Sequence, residues 1–177
     1  KINNFDQSKT DLKSLDRDLI NFRDVRPKLF GHFYDTLQTN PVITNFATSG
    51  NIVSLVSQLI STSPNLLAWS GILVRLDVPS DKRNTISWHQ DHSYLPYNKN
   101  GDSALVVTIP LQNTSAEMGA VRVKKKSHVL SEVSSEASIA GRHGSSEQRL
   151  VPEHEIQDFK EVIPELNKGD CLMMHIR

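Results

Sequence analysis

The 177 residues carry 20 basic and 20 acidic side chains, so the formal charge is zero, and 37% of positions are hydrophobic. That length supports one domain with a real core and is short for two, while a balanced charge without a long basic block excludes the electrostatic footprint of a nucleic-acid-binding protein. No apolar run approaches the ~18 residues that span a bilayer, the N-terminus lacks a signal-peptide core, and the single Cys171 excludes an internal disulfide and fits a reducing, cytoplasmic compartment.

Residues 8 to 62 are expected to be helical. Leu12, Leu15, Leu19 and Phe22 recur at helical spacing, with Asp11 or Thr10 as N-cap. Pro27 suits the first turn of a second helix whose stripe is Leu29, Phe30, Phe33, Tyr34 and Leu37, and Asn40-Pro41 is expected to break it. A third helix follows Ser49-Gly50-Asn51, with Ile52, Leu55, Val56, Leu59 and Ile60 on one face, and Ser61 to Pro64 stops it. These helices are expected to buttress a sheet, with His32 a structural histidine among core-facing neighbours.

From Leu66 the period changes to two. Ile72, Val74 and Leu76 alternate with Leu73, Arg75 and Asp77 as on a strand with unlike faces. Val78 to Asp81 turns, and Asn98 to Asp102 is a strong turn signal. Ala104 to Ile109 reads as a strand buried on both sides, and Gly119 to Val123, Lys160 to Ile163 and Asp170 to Ile176 read as further strands. Lys124-Lys125-Lys126 is expected to be a solvated turn. Short strands with turn chemistry between them indicate a sandwich or barrel, and such sheets close into jelly rolls with ligand-holding mouths. The fold class expected is α+β, mainly β, with N-terminal helices at 1–65 and a core at 66–177. Residues 131–157 are rich in Ser and Glu and lack periodicity, the mark of a long functional or surface loop; His143 and His154 within it are not expected to bind metal.

The stretch Ser87-Trp88-His89-Gln90-Asp91-His92-Ser93-Tyr94-Leu95-Pro96-Tyr97 carries the chemistry. On an extended strand His89 and Asp91 project to the same face. An imidazole and a carboxylate so placed are two members of the two-His, one-carboxylate facial triad that holds Fe(II) and leaves coordination sites open for substrate and dioxygen. His-x-Asp alone arises by chance in a chain of this composition, so its flanks matter.

Trp88-His89-Gln90-Asp91 with Tyr94 and Pro96 resembles the first metal motif of the phytanoyl-CoA dioxygenase family of iron and 2-oxoglutarate dependent oxygenases. Ala104 to Leu111 followed by Glu117-Met118-Gly119-Ala120-Val121-Arg122-Val123 resembles its strand, acidic turn and Gly-initiated strand. Ser127-His128 sits where the family ends a Pro-Gly-Ser-His turn, and Gly169-Asp170-Cys171-Leu172-Met173-Met174-His175 resembles the strand leading to the last ligand. The resemblance covers residues 66 to 177 and implies a double-stranded β-helix, a cupin-like jelly roll, with 131–157 as a candidate lid.

The resemblance also implies Fe(II) held by His89, Asp91 and a distal His, 2-oxoglutarate as cosubstrate, dioxygen, and a small organic substrate that is hydroxylated as succinate and carbon dioxide are released. Gln90, Arg75 and Thr108 are candidate contacts to the cosubstrate, and Trp88 and Tyr94 candidate pocket wall or core. The family's distal His comes about eleven residues after the Gly of the Gly-Asp pair, past Arg177, and its Arg for the cosubstrate follows further on. His175 is a weaker candidate for the third ligand. The chain is therefore expected to be cut short, with a weak or empty metal site. Two other readings stand beside this one. The first is a jelly-roll binding module of the same ancestry without turnover. The second is a hydrolytic zinc site of His89, Asp91 and His92, which needs a bulge for adjacent residues to face inward together.

Overall fold

The computed structural model describes residues 11–78, 86–95, 103–133, 136–138 and 148–177. The turns expected at 79–81 and 98–102, Pro96, Tyr97, His143 and much of the 131–157 segment lie outside the described residues. The chain divides into two compact units, one of Lys1–Leu55 with Ser63–Val78, the other of Val56–Thr62 with Pro79–Arg177.

The first unit is helical. Helix α1 spans Leu12–Val25, capped by the Asp11 carboxylate, which accepts the Lys13 N–H at 3.2 Å. Helix α2 spans Pro27–Leu37, and Phe22 of α1 packs edge-on against Phe30 of α2 with ring centroids 5.7 Å apart. Helix α2 ends ahead of Asn40-Pro41, as expected, and that pair also starts a helix that was not expected: α3 spans Pro41–Ala47, because the Asn40 side chain caps it, accepting from Val42 N–H at 2.9 Å, and Pro41 occupies the first turn, where a missing N–H costs nothing. Helix α4 spans Gly50–Leu59 as its apolar spacing predicts. His32 is exposed rather than held in a core.

The segment 72–78 alternates half-buried and exposed, as its period of two demands, yet it joins no sheet. The Gln38 side chain takes the place of a neighbouring strand. Its Oε1 accepts the Val74 N–H at 2.8 Å and its Nε2 donates to the Val74 carbonyl at 3.2 Å, satisfying both backbone groups.

Among the described residues of the second unit three antiparallel pairs form: β1 (Leu105–Thr108) with β6 (Leu172–His175), β2 (Val123–Lys124) with β5 (Glu161–Val162), and β3 (Glu136–Ser138) with β4 (Gln148–Leu150). The pairs are nested, so residues 105–138 form one arm and 148–175 the returning arm. From Leu105 opposite His175 to the bridge of Thr114 with Leu166, both arms advance by nine residues. From there to Val123 opposite Val162 the first arm advances by nine and the second by four. A tight turn over Ser115 to Gly119 takes up the difference, with the Ala120 N–H returning to the Ser115 carbonyl at 3.2 Å. Gly119 closes that turn at φ 79, a backbone region that a Cβ disfavours. Gly169, at φ 97, turns the chain into β6, and Asp170 accepts the Asn167 N–H at 2.7 Å.

Helix outweighs strand among the described residues, 42% against 12%, so the expected mainly-β composition gives way to N-terminal helices and small sheets. Strand β1 is half-buried along its length and, among the described residues, pairs with β6 alone, whereas burial on both sides was expected. The strand expected from Gly119 begins at Val123, since the turn consumes its start. Hairpin β3–β4 and a short helix α5, Glu153–Ile156, occupy described parts of a segment read as aperiodic. Among the described residues the buried apolar side chains are Val56, Pro110, Val151, Ile156 and Ile176, all in this unit, and Ile176 is only 2% exposed. Among the described residues no helix is long and apolar enough to cross a membrane.

Candidate metal centre

Residues 86–95 belong to the second unit and join none of its strands. Gln90 is extended (φ −107, ψ 123), and a single 3-10 turn then covers Asp91–Tyr94, closed by Ser93 N–H to Gln90 O at 3.1 Å and Leu95 N–H to His92 O at 3.0 Å. Leu95 ends the turn at φ −122, ψ 67; it precedes Pro96, which disfavours helical geometry at that residue. One extended residue between His89 and Asp91 suffices to send both side chains the same way. The convergence expected of a strand is thus achieved at the junction of an extended residue and a turn.

His89 Nε2 lies 3.3 Å from Asp91 Oδ1, with side-chain exposures of 28% and 41%, open enough for a ligand to reach. His89 Nδ1 lies 2.8 Å from the Ser87 carbonyl. A carbonyl oxygen can only accept, so Nδ1 carries a proton. In neutral imidazole Nε2 then presents its lone pair beside the Asp91 oxygen, and two electron-rich atoms that close are stabilised by a shared cation. An imidazole whose remote N–H is held by a backbone carbonyl is the usual arrangement of a metal-binding histidine.

Other groups frame this pair. The Tyr94 ring meets His89 edge-on at 6.2 Å, and its hydroxyl oxygen accepts the Arg149 N–H at 2.8 Å. The Trp88 carbonyl accepts the Val151 N–H at 2.8 Å, and the His92 N–H donates to the Ile176 carbonyl at 2.9 Å. Both Arg122 and Lys124 approach the Trp88 ring, at 5.1 and 5.2 Å, and both pair with Glu161, at 3.4 and 3.8 Å. Lys124 is therefore not part of a solvated turn. Only 12% of its side chain is exposed, because its stem and ammonium group lie against indole and carboxylate, while Lys125 and Lys126 remain exposed.

The remaining expected site residues are dispersed. Gln90 alternates away from the pair and is buried, 7% exposed, with its amide nitrogen donating to Ser131 O at 3.2 Å and its amide oxygen accepting from Val133 N–H at 2.9 Å. Both ends of the amide are bound to backbone, a task different from holding a cosubstrate. Arg75 belongs to the first unit and pairs with Asp77 at 2.9 Å. Thr108, half-buried, ends β1 opposite Leu172. His175 accepts the Arg177 N–H on Nδ1 at 3.1 Å, so a neutral ring carries its proton on Nε2 and offers no lone pair to a metal; its ring lies 5.5 Å from that of His128. His92 is buried within the 3-10 turn, which rotates about 120° per residue and directs it away from Asp91. His154 is exposed and pairs with Glu155 at 3.6 Å. Among the described residues no three His, Cys, Asp or Glu are grouped to hold a metal ion, which removes the zinc site of His89, Asp91 and His92.

The anchoring roles of Tyr94, Trp88 and Ile176 escaped the sequence, where Tyr94 and Trp88 read only as wall or core. Their partners are backbone groups far along the chain, which leave no mark in composition.

The family model described as Phytanoyl-CoA dioxygenase (PhyH) matches residues 5–177. No curated protein and no solved structure matches the chain.

Proposed function

Because the chain belongs to the phytanoyl-CoA dioxygenase family, we propose that it is an Fe(II)- and 2-oxoglutarate-dependent dioxygenase that hydroxylates a small organic substrate within a double-stranded β-helix. The observation that carries this reading is the approach of His89 Nε2 to Asp91 Oδ1 at 3.3 Å with Nδ1 occupied by Ser87. Imidazole nitrogen and carboxylate oxygen suit a ferrous ion, and the pair fits as two of its three protein ligands. When bound, the iron would support oxidative decarboxylation of 2-oxoglutarate, one oxygen atom of dioxygen entering succinate and the other the hydroxylated product.

The chain's own residues would prepare that site. Ser87 holds the Nδ1–H and the ring direction of His89, so that Nε2 is the nitrogen turned toward Asp91 and toward a metal bound there. Asp91 supplies the negative charge that favours a cation at the same point. Tyr94 covers one side of the His89 ring and limits its rotation. Thr108 is the cosubstrate contact we retain, and a cosubstrate carboxylate would have to compete with Asp77 for Arg75.

A second reading is a ligand-holding domain of the same ancestry that does not turn over, favoured by the absence of a third ligand near the pair among the described residues. Anaerobic titration with Fe(II) and 2-oxoglutarate, followed by succinate measurement in air with candidate substrates, separates the two. Succinate formed by the wild type and lost in His89→Ala and Asp91→Ala supports the dioxygenase. Binding without succinate supports the non-catalytic domain.

A further inference from the structure

We propose that Gln90 is the positioning residue that sets the bite of the metal-ligating pair, by clamping the backbone of Ser131 and Val133 behind it. This rests on the reading of His89 and Asp91 as iron ligands. Gln90 is the one residue between them, so its φ and ψ, together with ψ of His89 and φ of Asp91, decide whether their side chains converge or diverge. Its carbonyl accepts the Ser93 N–H at 3.1 Å within the turn, and its side chain, on the opposite face, ties the same residue to backbone far along the chain. That amide is buried and has both ends engaged, with Nε2–H on Ser131 O at 3.2 Å and Oε1 on Val133 N–H at 2.9 Å.

Rotation about the Gln90 backbone would draw the amide off two partners at once and strand polar groups away from water, which the fold resists. The partners are themselves far along the chain. Ser131 and Val133 lie just before β3, the strand that pairs with β4, and β4 is tied back to the same stretch by Tyr94 with Arg149. The spacing of the two ligands is thus held by the nested arms and not by the local turn alone. Gln90 touches neither iron nor substrate in this account, and it acts through His89 and Asp91.

Charge and clamping predict opposite effects for one substitution. Gln90→Glu is close in shape and can still accept the Val133 N–H, but it sets a carboxylate oxygen against the Ser131 carbonyl. If Gln90 influenced the site through charge, an added carboxylate between the ligands would tighten Fe(II) binding. If it acts as a clamp, binding weakens. The test is an anaerobic Fe(II) titration of wild type, Gln90→Glu and Gln90→Met, with amide hydrogen exchange at Val133 measured on the same samples. Both variants are expected to bind Fe(II) about tenfold more weakly, and Gln90→Met, which loses both bonds, to exchange the Val133 amide about tenfold faster, at unchanged overall helix content. Tighter or unchanged binding in Gln90→Glu, or Val133 protection unaltered in Gln90→Met, overturns the proposal.

His89→Ala is the control for the underlying reading. It should abolish Fe(II) binding and leave Val133 protected. Should the wild type bind no Fe(II), the oxygenase reading fails, and the clamp is then decided without metal. At fixed pH the His89 ring-nitrogen shifts should respond to Asp91→Asn in the Gln90 protein and by less than half as much in Gln90→Met; an equal response refutes the clamp.

Discussion

The backbone N–H of His92 donates to the carbonyl of Ile176 at 2.9 Å, and this bond joins the turn bearing Asp91 to the end of β6. Ile176 is also the most deeply buried side chain among the described residues, at 2% exposure. Ile176→Ala is therefore expected to destabilise the second unit by about 2–5 kcal/mol through lost burial and the cavity left behind. Urea denaturation followed by tryptophan fluorescence, to which Trp88 contributes, checks the magnitude. A change under 1 kcal/mol would show that the side chain is not packed as described.

Lys126 holds φ 70 just before the turn of Ser127–Val129, at the place where the family's Pro-Gly-Ser-His turn has glycine. A Cβ in that region is strained by roughly 1–2 kcal/mol, partly offset by the greater freedom of glycine in the unfolded chain. Lys126→Gly should therefore stabilise the protein by about 1 kcal/mol, and Lys126→Ala should not. Thermal melts of the two variants, compared side by side, decide it.

Gln38 supplies the hydrogen bonds that a neighbouring strand would give Val74. Gln38→Met keeps the length of the side chain and removes both bonds, and should cost about 1–3 kcal/mol. Hydrogen exchange at the Val74 amide should accelerate in the variant while α1, which does not touch this amide, keeps its protection.

The Ser115 hydroxyl donates to Glu117 at 2.7 Å, and this bond, with a smaller contribution from the Glu117 backbone N–H, holds the Glu117 carboxyl below the usual range. The folded state then favours the carboxylate. Its contribution to stability is present above the unfolded carboxyl pKa and is lost as pH falls through the lower, folded value. Ser115→Ala should move the Glu117 titration back toward an ordinary glutamate, as read by NMR of the carboxyl carbon. No shift between the two proteins would assign the effect to the backbone alone.

Cys171 is exposed as a residue, yet partial desolvation of its thiol raises the thiol above its ordinary pKa. Thiolate is the reactive form, so alkylation of folded protein at mildly alkaline pH should be slower than that of a cysteine peptide, and unfolding in urea should remove the difference. Equal rates would mean that the thiol is fully solvated.

Much of this arrangement is written locally and some is not. The helices were legible because Leu19, Phe22, Phe30 and Phe33 repeat at helical spacing and the caps at Asp11 and Pro27 are short-range signals. The exception, α3, turned on Asn40-Pro41, a pair that can end one helix or start another depending on where the Asn side chain points. Strands β1 and β6 were legible from their apolar runs, whereas 72–78 carried the right alternation and found a glutamine instead of a strand. Alternation reports which side is shielded and says nothing of what does the shielding. At the candidate metal centre, His89 and Asp91 were legible as a spaced pair whose facing depends on the backbone between them. The work of Gln90, the burial of Lys124 and the anchoring by Tyr94 depend on partners 37 to 55 residues away, among them Val133, Glu161 and Arg149.

The nesting of the two arms has a consequence for the order in which the second unit comes into being. Each antiparallel pair shortens the loop that the next one must close, so zipping proceeds from β3 with β4, through β2 with β5 and Thr114 with Leu166, to β1 with β6. Pulse labelling during refolding should accordingly find the Lys125 amide, which donates to the Lys160 carbonyl beside β2 and β5 at 2.8 Å, shielded before that of His92. The His92 bond to Ile176 lies beyond the last of these pairs, which makes the corner bearing His89 and Asp91 the youngest part of the second unit, completed only when both arms have met.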